Sequence, residues 1–179
     1  MTIPPCPHDP AAIPGKEGQP TGPTGVIAGA ALRSARRSAG LSPARLAGAA
    51  GLDHATLTSW ESGTEPLASA PSPVVKQLES ALREAGAAPG LIADLSIAAW
   101  CDLVLQGIVA GEDVSCLLAD PLAWTDAFGE LLAWVITDQP PARHLPYAGH
   151  GRLLPTADSG LTARVILALN SLSPRQHAA

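Results

Sequence analysis

The chain reads as all-α. Three observations carry this: apolar residues recur at three- and four-residue spacing, alanine is abundant, and no stretch alternates apolar with polar residues strongly enough for a strand. With 179 residues, 46% of them apolar and 15% charged, the chain is long and apolar enough to build a core.

Residues 1–25 hold seven prolines and four glycines without helical or strand periodicity, and are expected to be a disordered tail. Cys6 and His8 within it are two ligands at most, too few for a metal site. From Val26 the sequence VIAGAALRSARRSAG predicts a first helix, with Ile27, Ala31, Leu32 and Ala35 on one side and Gly40 closing it. Ser42 can cap a second helix whose first turn tolerates Pro43, and Leu46, Ala47 and Ala50 face inward. Gly51 supplies a turn, Asp53 caps a third helix, Leu57 and Trp60 lie three apart on its inner face, and Gly63 ends it. Helices of about eight residues are unstable alone, so these must be held by packing.

A looser TEPLASAPSP segment precedes PVVKQLESALREAG, where Val74, Val75, Leu78, Ala81 and Leu82 form one apolar stripe. Leu91 to Val109 is apolar on most sides and calls for a partner surface. Leu122 to Ile136, with Trp124, Phe128, Leu131 and Val135, and LTARVILALNSL, with Leu161, Val165, Leu169 and Leu172, complete the helix set. Between them, residues 138–160 form a Pro/Gly-rich loop long enough to be functional or to question the assignment.

Residues 32–63 resemble the helix-turn-helix of the Cro/C1 repressor family, also called XRE-type. The matching positions are Leu32, Arg33, Arg36, Gly40, Leu41, Ser42, Leu46, Ala47, Ala50, Gly51, Leu52, Asp53, Leu57, Trp60, Glu61 and Gly63. The resemblance implies a Cro/C1-type five-helix bundle at 26–90, followed by further C-terminal helices at 91–179 for dimerisation or partner binding. It implies a sequence-specific, double-stranded DNA-binding regulator, a repressor, working as a homodimer without cofactor. Base edges would be faced by His54, Ala55 and Ser59, and the DNA backbone by Arg36, Ser42, Arg45, Thr56 and Thr58. Leu32, Leu46, Ala47, Leu57 and Trp60 would form the core, and Arg36 and Glu61 a structural pair. Two departures stand out. Pro43 sits where the family commonly has glutamine, so a backbone contact is lost, and about five extra residues lie around Leu67 to Ala70.

Charge agrees with that division. Residues 26–90 carry six basic and five acidic side chains, and residues 91–179 carry four and nine, so the net −5 belongs to the C-terminal half. The N-terminal half is left able to approach an anion, and the acidic half suits a protein partner. An interaction or antitoxin-like module built on the same scaffold is therefore the rival function. Three cysteines without C-x-x-C spacing, no basic start followed by an apolar run, and a longest uncharged apolar stretch (103–111) half the length of a membrane span predict a cytoplasmic protein without membrane contact. The Ala-rich, Lys-poor composition is associated with GC-rich bacterial genomes such as those of actinobacteria. His144 and His150 lie in the long loop without a convergent third ligand or a nucleophile, so neither metal nor enzyme chemistry is expected.

Overall fold

The computed structural model describes residues 25–118, 125–149 and 153. These form helices α1 (Val26–Ser38), α2 (Pro43–Ala49), α3 (His54–Ser62), α4 (Ser72–Glu84), α5 (Pro89–Ala110), α6 (Ser115–Leu118) and α7 (Asp126–Thr137), and no strand occurs among them. The tail at 1–24, Trp124, His150 and the helix expected at 161–172 lie outside the described residues.

The caps named in the sequence act as such. Ser42 Oγ accepts from the Arg45 N–H with Pro43 at the first position of α2, and Asp53 accepts from the Thr56 N–H at the start of α3. Gly63 closes α3 in the left-handed region at φ 76°, where a side chain would also collide with the backbone of Gly25 and Val26. The inserted segment forms a 3-10 turn, Leu67–Ser69, and buries Leu67. α7 begins at Asp126 rather than Leu122, with the Thr125 hydroxyl accepting from the Phe128 N–H.

α5 is the centre of the molecule. It packs mainly along α1 and also against α7, α4 and the 3-10 turn, burying Leu91, Ile92, Leu95, Ala98, Val104, Leu105 and Ile108. The partner surface demanded by its apolar sequence is thus supplied within the chain. Phe128, Leu131, Leu132, Trp134 and Val135 of α7 are also buried. Phe128 and Trp134 thus fill a core within the chain. At 22 residues, α5 is also long and apolar enough to cross a membrane by length and composition alone, a test that a buried core helix passes too. Two carboxylates interrupt it, Asp94 and Asp102, and both are buried and hydrogen-bonded to other parts of the bundle.

α1 and α3 approach closely because Gly29 has no side chain: a Cβ there would lie 2.4 Å from the Trp60 carbonyl oxygen. The N-terminus of α1 has no side-chain cap of its own. Asp102, 2% exposed, supplies one from α5: its two oxygens accept from the N–H groups of Ile27 (3.0 Å) and Ala28 (2.9 Å).

Candidate nucleic-acid interface

Leu32, Leu46, Ala47, Leu57 and Trp60 are all buried, which wedges α2 and α3 against α1 and fixes which side of α3 faces outward. On that side His54, Ala55 and Thr58 are exposed, and Thr56 and Ser59 are partly so. Ala55 offers a methyl surface, His54 a donor or acceptor, and Ser59 a hydroxyl with no partner among the described residues. The two threonines differ. Thr56 Oγ1 donates to Asp53 Oδ2 at 2.5 Å, and Thr58 Oγ1 donates to the His54 carbonyl at 2.7 Å, so both hydroxyl protons are directed into the protein. Hydrogen bonds from Thr56, first through its side chain and then through its N–H, hold the Asp53 carboxyl below its usual range and leave a negative charge at the tip of α3.

Arg36 is not a surface cation. It is 7% exposed, as is Glu61, and the two meet in a fork: Nε donates to Oε1 at 2.6 Å and Nη2 to Oε2 at 3.0 Å. Its remaining nitrogen, Nη1, donates to the Leu41 carbonyl at 2.7 Å. The expectation that Arg36 meets the DNA backbone is therefore corrected: all three nitrogens are engaged inside the protein. The other role expected of it, pairing with Glu61, is the one its geometry serves, and through Leu41 it also fixes the residue just before the α2 cap.

On α1 and α2 the cations left on the outside are Arg45 and Arg37, both exposed, and Arg33, which is half-buried; Lys76 and Arg83 on α4 are exposed as well. Burial lowers the Arg33 guanidinium, with Arg37 and Arg36 adding to the shift and Glu61 opposing it. One Arg37 N–H, on Nη1, donates to the carbonyl of Tyr147 at 2.8 Å, a contact from the C-terminal region that the sequence did not suggest.

A second polar cluster was equally unforeseen. His144 is fully buried, and its Nε2 lies 2.8 Å from Asp94 Oδ2, which Arg143 Nε also contacts; Arg143 Nη1 reaches Glu130 at 2.5 Å. Burial pushes the Asp94 carboxyl up, but the bonds from His144 and Arg143 outweigh it and hold it below the usual range. The imidazole Nδ1 is sealed, with no partner, and the ring lies 5.3 Å from that of Trp134. The nearby Cys101 thiol is buried and pushed strongly up by that burial, so it is no nucleophile. Among the described residues no group of three or more His, Cys, Asp or Glu side chains is placed to hold a metal ion.

Residues 27–95 match the family described as helix-turn-helix domain. This part of the chain is a helix-turn-helix domain. The match runs past α4 into the first turns of α5, in keeping with the packing of α5 along α1. No curated protein and no solved structure matches the chain. A helix-turn-helix domain is a DNA-binding unit.

Proposed function

We propose that the protein binds double-stranded DNA in a sequence-specific manner as a transcriptional regulator, a repressor, with two copies on a two-fold site. α3 enters the major groove and presents His54, Ala55 and Ser59 to base edges, while Arg45 and Ser42 meet phosphate and Thr56 and Thr58 line the groove wall. The observation that carries this reading is the exposed His54–Ser59 side of α3, backed by buried Leu57 and Trp60 inside a helix-turn-helix domain. None of the three base-facing side chains makes the bidentate contact of arginine, asparagine or glutamine. Discrimination per base is accordingly modest, and DNA shape and bridging water carry a share of it. The domain works by binding, and no catalytic role is assigned to any residue.

Selection from a random duplex pool followed by binding across a salt series tests the reading. Ser59→Ala changes the selected sequence, whereas Arg45→Ala weakens all sites and lowers the log–log salt slope by about 0.9. Absence of salt-dependent binding overturns it. The rival reading, a protein-binding module, is favoured by Pro43 in place of a side-chain donor, by Asp53 at the tip of α3 and by the inward hydroxyls of Thr56 and Thr58. That module would bind no duplex at any salt.

A further inference from the structure

With Arg36 turned inward, the cation on the last turn of α1 that remains open to an anion is Arg37, and a segment 110 residues away holds it. Residues 142–147 run as consecutive turns within the strap 141–149. The His144 and Leu145 N–H groups bond back to the Pro141 carbonyl, and those of Tyr147 and Ala148 to the His144 carbonyl. One end of this strap is anchored by the buried meeting of His144 and Arg143 on Asp94 of α5. The other lies on α1: the Tyr147 carbonyl accepts from Arg37 Nη1, and a Cβ on Gly149 would lie only 3.0 Å from that nitrogen.

We propose that this strap is a positioning element of the DNA interface, holding Arg37 in the rotamer that meets a phosphate beside the α1–α2 turn. The inference rests on the DNA-binding reading above. A carbonyl engages one of five guanidinium N–H groups and removes none of its charge, so Arg37 stays able to bind an anion. What the contact removes is rotamer freedom, which a free arginine would otherwise lose on binding. The location suits the role. Arg37 adjoins Arg36, whose Nη1 fixes Leu41, and Ser42 follows as the cap of α2, so one turn of α1 sets both the strap-held cation and the phosphate-facing start of α2.

The test compares the full chain with Arg37→Ala, His144→Ala, Arg143→Gln and the Arg37/His144 double variant, on a random-sequence duplex pool over about 0.05 to 0.3 M salt. Each single change is expected to weaken binding about 3- to 10-fold and to reduce the salt slope, by about 0.9 for Arg37→Ala. The double variant binds no worse than either of its parents, because both remove one contact. Should His144→Ala fail to melt cooperatively, Arg143→Gln, which loosens the same anchor from a more exposed position, takes its place in the comparison.

Additive losses, an unaffected Arg37→Ala, or tighter binding once the anchor is cut would overturn the assignment; the last outcome would make the strap a restraint. If the unaltered protein binds and every variant matches it in affinity and slope, only the strap fails. If no variant and no unaltered chain binds at any salt, the DNA reading fails and takes the strap with it.

Discussion

Asp102 completes a helix that began 75 residues earlier, and it does so at an electrostatic cost. Burial pushes its carboxyl up to about 7, even though the N–H groups of Ala28 and Ile27 favour the charged form. In the unfolded chain the group titrates near the ordinary value of 3.8. Between those two values the unfolded state has lost a proton that the folded state keeps, so stability from this group falls as pH rises from about 4 to about 7 and is level above. Urea unfolding from pH 4.5 to 7.5 should show this decline, and Asp102→Asn, which retains an acceptor but cannot ionise, should flatten it. A slope unchanged by the substitution would mean that another group is responsible. Arg36 and Glu61 make the opposite case, an ion pair sealed in the core. Glu61→Ala leaves an unpaired buried guanidinium and should destabilise the fold by about 3 to 5 kcal/mol, whereas replacing both by well-packed apolar residues should recover most of the loss in the same urea titration.

At the scale of elements, local chemistry was legible and distant chemistry was not. Ser42, Pro43, Asp53 and Gly63 announce the limits of α2 and α3 because each acts on backbone within a few residues of itself, and the observed helices run Pro43–Ala49 and His54–Ser62. The outward side of α3 followed from the inward spacing of Leu57 and Trp60. By contrast, the cap on α1, the Asp94–His144 anchor and the Arg37–Tyr147 contact join residues 50 to 110 positions apart, and no periodicity encodes such meetings. The inward turn of Arg36 was half visible: its pairing with Glu61 came with the resemblance, but its burial depends on how tightly α1 and α3 close. Gly29 sets that distance. Gly29→Ala improves the helix propensity of α1 by about 1 kcal/mol in isolation, yet its Cβ would sit 2.4 Å from the Trp60 carbonyl oxygen. The helices must part, and the net effect should be a loss of at least about 2 kcal/mol with a changed near-ultraviolet signal from Trp60. A neutral or stabilising Gly29→Ala would show that the α1–α3 contact is slack.

For the whole molecule, the sequence suggests a boundary near residue 90, between a DNA-binding unit and a C-terminal half that differs from it in charge. Charge does change there, but packing does not pause. α5 starts at Pro89, runs the length of α1 and reaches its N-terminus with Asp102, so the fifth helix of the bundle and the bridge to α7 are the same element. A fragment ending at residue 90 would bare the side of α1 that holds Ile27 and Ala28 and would lose the six large aliphatic side chains that α5 buries, Leu91, Ile92, Leu95, Val104, Leu105 and Ile108. At about 2 kcal/mol each, that loss is roughly 12 kcal/mol, comparable with the entire stability of an ordinary domain. The fragment should therefore show no cooperative thermal transition by circular dichroism and should bind a hydrophobic dye, while the full chain melts sharply. A sharp melt of the fragment would place the folding unit within residues 25–90 and reduce α5 to an appendage. The expected failure would instead mean that residues 25–90 and α5 fold as one unit, because α1 and α5 share one core.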